Sequence, residues 1–262
     1  MGRIRVAIEL DAPGPELPPR LVGQVRLLRY VGVDADTAEI LAGDPFGGAL
    51  EPGRCEVQAI ERRLDDALGR TSSWARIDHL DAGEIRVQAA GVVASAWPTL
   101  QPALFPVVNG VEYADARSEN AVHLGLEDRG AVVVTAFGGI DVGPFDLVAA
   151  APAVPGSVAA IRREGRVEVS WAPADVDIGA AVIISAGVGH GRVLRCRAAN
   201  PGSMVIYDGA LAGLAPDAPV DLTVERSRRL PFHAPGIAEG TLEVAARYVV
   251  TAVPLRAAEP TR

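Results

Sequence analysis

The side chains with which this chain could do chemistry are few: four histidines, two cysteines and some clustered acids and arginines. His79 stands between Asp78 and Asp81, the order of a general base with carboxylates to orient it, and equally that of an exposed turn among charges. Were His79, His123 and carboxylates to converge in one pocket, the first half would be an enzyme or a small-ligand carrier. His190 lies in Gly187-Val188-Gly189-His190-Gly191, superficially a phosphate-cradling loop. The glycine spacing of a dinucleotide fingerprint is missing, however, and Arg192 to Ala198 continues as a strand rather than a helix, so a hairpin turn is expected. His233, in Pro231-Phe232-His233-Ala234-Pro235-Gly236, reads as loop. There is no Gly-x-Ser-x-Gly elbow, and no serine or cysteine sits in a strand-turn-helix context. No catalytic residue is assigned, and the enzyme question stays open, leaning towards no.

Asp34, Asp36 and Glu39 offer oxygen ligands in one segment, yet the glycine and the terminal glutamate of a calcium loop are missing. Capping of a short helix by Asp36 and Glu39 accounts for them, and Asp65-Asp66 suits a solvated helix face. No metal site and no cofactor are expected. Cys55 and Cys196 are too few for a disulfide framework or a zinc site. In an oxidising compartment they can pair; otherwise they are buried thiols, and the sequence leaves both readings open. Trp171 is expected in a core, while Trp74 and Trp97 lie nearer loops, where either could anchor a partner. Arg195, Arg197, Arg228 and Arg229, with Arg226, could form a basic face that docks a protein, the acidic half of a second copy or anionic headgroups.

The 262-residue chain has ample apolar content, 49%, for independent folding. All 25 basic residues are arginine. The formal charge of −8 is uneven: 13 Arg against 22 acids up to residue 150 give −9, and 12 against 11 thereafter give +1. An acidic half repels phosphate backbones, so nucleic acid is not expected as a partner. No apolar run approaches the roughly 20 residues of a spanning helix. The N-terminus alternates as a strand from the start and is not a signal peptide. The expectation is therefore either a cytoplasmic protein starting at Met1 or an exported one whose signal was removed.

Period-2 alternation predicts strands at Ile4–Leu10, about Val22–Tyr30, Ile85–Ala89, Val122–Leu124, Val132–Val134 and Phe145–Val148. Asp11 to Pro19 is a proline-rich loop. Asp36-Thr37-Ala38-Glu39 predicts a short helix to Leu41, and Ile60, Leu64 and Leu68 predict an amphipathic one closed by Gly69. Small residues and proline in Ala149–Gly156 mark a domain boundary, giving domains 1–150 and 151–262. Beyond it, Val167–Trp171, Val193–Ala198, Leu222–Val224 and Thr241–Leu255 alternate, and Val182-Ile183-Ile184 reads as a fully buried strand. Many short strands with turns between them predict an all-β protein of two immunoglobulin-like sandwiches, the first with one or two short helical insertions.

Val169-Ser170-Trp171 resembles the buried tryptophan strand of fibronectin-type domains. Ala210 to Pro216 followed by Val220 to Val224 is similar to the segment around their tyrosine corner, with Val220 or its neighbours where the tyrosine falls. Pro52-Gly53-Arg54-Cys55, Leu80 to Val87, Val142-Gly143-Pro144-Phe145, Leu194 to Arg197 and Arg228 to Phe232 together resemble uncharacterised bacterial surface lipoproteins with two β-sandwich domains. That resemblance implies an exported, periplasmic or surface location and no particular activity; the export signal and lipidated cysteine of those proteins do not occur here. A non-enzymatic binding or structural protein of the cell envelope, meeting a protein or envelope partner, is the expectation, with self-association as a further possibility.

Overall fold

The computed structural model describes residues 2–10, 20–41, 50–89, 92–100, 108–113, 116–117, 130–153, 157–172, 180–189, 191–199, 202–212, 214–215 and 218–254. The predicted strand at Val122–Leu124 and the loop Asp11–Pro19 lie outside them. In chain order the elements begin with β1 (Gly2–Leu10), β2 (Arg20–Val31), α1 (Ala35–Leu41), β3 (Cys55–Ala59), α2 (Ile60–Arg70), β4 (Arg76–His79), β5 (Ile85–Ala89) and β6 (Val92–Ala96). There follow β7 (Pro98–Leu100), β8 (Val108–Tyr113), β9 (Ala116–Arg117), β10 (Ala131–Ala136) and β11 (Phe145–Ala150). The second half supplies β12 (Ala159–Arg163), β13 (Arg166–Ser170), β14 (Ala181–Gly187), β15 (Arg192–Arg197), β16 (Ser203–Tyr207), β17 (Val220–Ala234) and β18 (Ile237–Pro254). The protein is all-β, with two helices and a 3₁₀ turn at Asp208–Leu211 among the described residues.

The main sheet runs β3-β15-β14-β17-β18-β1-β2-β4-β8-β7, with β12, β13 and β16 branching from β18 and β9 lying on β2; a separate sheet runs β11-β10-β5-β6. Its spine is the β17–β18 hairpin, antiparallel from Val220↔Ala252 to Ala234↔Ile237. The N-terminal strand adds to it in parallel, Gly2↔Gly240 through Leu10↔Tyr248. Even-numbered residues of the hairpin face inward from Val220 to Phe232 and from Gly240 to Ala252, as the two-residue side-chain period demands, while past the register shift at the turn Ile237 takes the inward place. Leu242 and Val244, with Ile4, Val6 and Leu27, pack on Ile85, Val87, Val132 and Val134 of the four-stranded sheet. Leu222, Val224 and Val250, with Ile184 and Leu194, pack on Val167, Val169, Trp171 and Ile206. The expected boundary segment 149–156 begins in the last two residues of β11 and ends before β12, while the closing hairpin contributes to both cores.

Where the hairpin passes from one core to the next, the inward position is Arg226, 3% exposed. Its Nη1 donates to Ala153 O at 3.1 Å and its Nη2 to Ala172 O at 3.2 Å. One guanidinium thereby satisfies carbonyls of the segment after β11 and of the chain just past β13.

Several local expectations are corrected. The cap of α1 is Asp34, not Asp36: its carboxylate accepts from Thr37 N and Thr37 Oγ1, both at 2.8 Å. These bonds, the backbone one foremost, hold the Asp34 carboxyl below its ordinary range and commit it to capping rather than to a cation. Helix α2 runs past Gly69 to Arg70, where Thr71 N donates to Leu68 O and Thr71 Oγ1 to Ala67 O. Its fully buried residue is Ala67, while Leu68 is 40% exposed. Strand β14 is not buried on both faces: Val182 and Ile184 are buried, but Ile183 is only half-buried because it points to the outer face.

Replacing Arg226 by Met should lower stability by about 1.5–3 kcal/mol, since the charge-assisted bonds from a buried guanidinium to two carbonyls are lost. Urea unfolding of both proteins checks this; an unshifted midpoint would mean that water satisfies Ala153 and Ala172 instead.

Candidate functional site

The odd-numbered residues of the same strands meet on the opposite, outer face, in rungs fixed by register. One rung is Arg229–Glu243–Arg5–Gln24, the next Ser227–Ala245–Ala7–Val22, and the third Ile183–Glu225–Arg247. Beyond it lies Arg195–Ser185–Thr223. Successive rungs stand about 6.8 Å apart, two residues along an antiparallel strand.

Two carboxylates on this face are nearly buried, Glu243 at 3% and Glu225 at 6% exposure. Burial of a charge is costly unless it is paired, and both are. Glu243 Oε2 accepts from Arg3 Nη2 at 3.1 Å and from Arg229 Nε at 3.0 Å, with Arg5 Nε 3.8 Å from Oε1. Glu225 Oε2 accepts from Arg5 Nη2 at 2.5 Å and Arg247 Nε at 3.0 Å. Burial alone would push the Glu243 carboxyl up, but Arg229, Arg5 and Arg3 outweigh it and hold it below its ordinary value.

Arg5 belongs to the first rung but reaches Glu225 in the third. Its side chain must therefore cross the middle rung, where Ala7, Ala245 and Ser227 are 3%, 0% and 6% exposed. Small residues there leave room for the arginine stem to lie on the sheet. The Nε of Arg5 is buried and has no hydrogen-bond partner.

These groups wall a cleft of about 220 Å³. Its charged lining is Arg3, Arg5, Arg195, Arg247, Glu225 and Glu243, four positive groups against two negative. Ile183 and Val193 add an apolar wall, and Ser185 and Thr223 two hydroxyls. Such a surface can hold an oxyanion by guanidinium hydrogen bonds.

The remaining predicted residues are dispersed. Arg195 lines this cleft, and Arg197 shares its face, donating from Nη1 to Leu50 O at 2.9 Å. Arg229 is bound to Glu243, whereas Arg228, one residue earlier, faces inward opposite Val244. The basic face read from neighbours in sequence is thus split by the strand period, and Arg226 is buried between the cores. Trp97 is 61% exposed just ahead of β7. Cys55 and Cys196, opposite each other across β3 and β15, form a disulfide. It fastens the edge strand β3 to the second core.

His79 ends β4, half-buried, and burial lowers its pKa while Glu112 and Asp78 oppose that. Strand β8 runs so close that a Cβ on Gly110 (φ +112°) would collide with His79 O. His123 and His190 lie outside the described residues, and the His233 ring, itself exposed, bonds to Ala238 O. Among the described residues no three His, Cys, Asp or Glu converge as a metal site, and no helix is long and apolar enough to cross a membrane.

Sequence reasoning missed Arg3, Arg5, Glu225, Glu243 and Arg247. Their only signal was that each is a charge at an outward position of an alternating strand. Comparison with family models, with curated proteins and with solved structures finds no match to this chain.

Two outcomes are expected. Ala245→Leu should cost about 1–3 kcal/mol, because a larger side chain displaces Arg5 from Glu225; an unchanged urea midpoint would place the Arg5 stem elsewhere. The Glu243 pKa is lowered in the folded state, so its contribution is present above its unfolded value of 4.5 and is lost as pH falls through the folded value. Stability measured from pH 7 downward should therefore drop below about pH 4.5, and less steeply in Glu243→Gln, which starts about 3 kcal/mol lower through its unmatched arginines.

Proposed function

We propose that this chain is a non-enzymatic binding protein of the bacterial cell envelope, which meets its partner through the outer arginine–glutamate face. The observation that carries the reading is that face itself. Its charges are fixed in place by mutual ion pairs on the central strands of a large sheet, so little ordering is lost when a partner is bound. Preorganised guanidinium groups recognise oxyanions and leave them unchanged unless a reacting group stands beside them.

The Cys55–Cys196 disulfide supports the location, because such bonds persist in the periplasm and on cell surfaces and are reduced in the cytosol. Two packed β layers around each core are in keeping with the immunoglobulin-like resemblance, an architecture suited to presenting a surface.

The test is the intact mass of protein taken from cell fractions of its native host, alkylated under denaturing conditions with and without prior reduction. The expected result is an envelope-fraction protein whose two thiols react only after reduction, with no disulfide-linked dimer. Cytosolic protein alkylated on both cysteines without reductant overturns the proposal. Reduction should also destabilise the purified protein by about 2–5 kcal/mol, given the 141-residue separation of the cysteines.

A further inference from the structure

We propose that the cleft among β1, β14, β15, β17 and β18 is a binding site for the oxyanion group of a small molecule, a carboxylate or a phosphate. The proposal rests on the binding reading above and names its ligand chemistry.

Three features of the site combine. First, its lining sums to +2, from Arg3, Arg5, Arg195 and Arg247 against Glu225 and Glu243. The two carboxylates are already held by two arginines each, so their role is to fix guanidinium groups rather than to receive a cation. Second, the Arg5 guanidinium stands between the two carboxylates, with its Nη2 on Glu225 Oε2 and its Nε 3.8 Å from Glu243 Oε1, so the network holds it in a fixed place at the cleft wall. Third, the walls differ in chemistry. Ile183 and Val193 present an apolar surface beside the arginines, with Ser185 and Thr223 hydroxyls between. This suits a small anion with a short apolar or hydroxylated body. A volume of about 220 Å³ falls below the roughly 300 Å³ at which drug-sized pockets begin, so a compact ligand is implied.

The site is also placed for selectivity. It lies on central strands, where backbone groups are engaged in the ladder and side chains alone meet the ligand. Guanidinium forks match planar carboxylates and phosphate edges in paired bonds, which a lysine surface would not do.

The experiment uses the whole chain at fixed ionic strength, titrated calorimetrically with three probes: inorganic phosphate, benzoate and neutral benzamide. Saturable one-to-one binding of phosphate or benzoate, with none of benzamide, is expected, and the tighter of the two identifies the source of the oxyanion. Removing an arginine could unfold the network, so the deciding variant is Ser185→Glu, which places a carboxylate in the cleft without breaking an ion pair. It should stay folded and bind the anion at least about tenfold more weakly. Absence of saturable anion binding, or undiminished binding by folded Ser185→Glu, overturns the proposal. Either result leaves the envelope location standing, because that depends on the thiols and the cell fraction.

Discussion

The register of the β17–β18 hairpin is the constraint on which the rest of this protein depends. Its ladder runs without interruption from Val220↔Ala252 to Phe232↔Gly240, before a single irregularity near the turn. Because the side-chain period is two, this one register decides both faces together. From Val220 to Phe232 and from Gly240 to Ala252, even residues turn towards the two cores or the junction between them, and odd residues join the outer surface. A slip of one residue would send Glu225 and Glu243 inward and Val224 and Val244 outward, which no local rearrangement could repair. The fold gains specificity from that mutual exclusion, as both faces disfavour the same error.

The same register explains how a sheet tolerates buried charge on its outer face. Glu243 and Glu225 stand two rungs apart, with a row of small residues between. Arg5 bridges the gap and couples two ion pairs into one network. Buried ion pairs often add little net stability once desolvation is counted. Their value here is positional: they hold guanidinium groups at the wall of a cleft in a defined arrangement. At the sheet's edge, the disulfide plays a corresponding part. It fastens β3, only five residues long, beside Arg195 and so keeps the far wall of the cleft in register.

Much of the fold was legible in the sequence. Alternation located β1, β5, β10, β13 and β15 and the all-β class, because a half-buried strand must separate apolar from polar residues at every second position. Helix α2 was legible from its four-residue spacing, but its cap was not: the signal around Asp36 matched a capping box, while Asp34 lay one turn of backbone nearer and captured Thr37. The Val182-Ile183-Ile184 run misled for a different reason. A half-exposed isoleucine that walls a cleft is indistinguishable in sequence from one in a core.

What the sequence by itself determined was therefore local: which residues alternate, which segments turn, where two cysteines stood free to pair, and that arginine carries all the basic charge. Which strands are neighbours was decided only in the tertiary structure. Arg5 and Glu225 are 220 residues apart, and no periodicity within either strand records that β1 will add in parallel to β18. The candidate site consists of such distant pairings, and its residues acquire a shared chemistry only when loop closure over the whole chain is repaid by the two cores beneath them. Strand period is a property of the local backbone; the meeting of strands is a property of the packed whole.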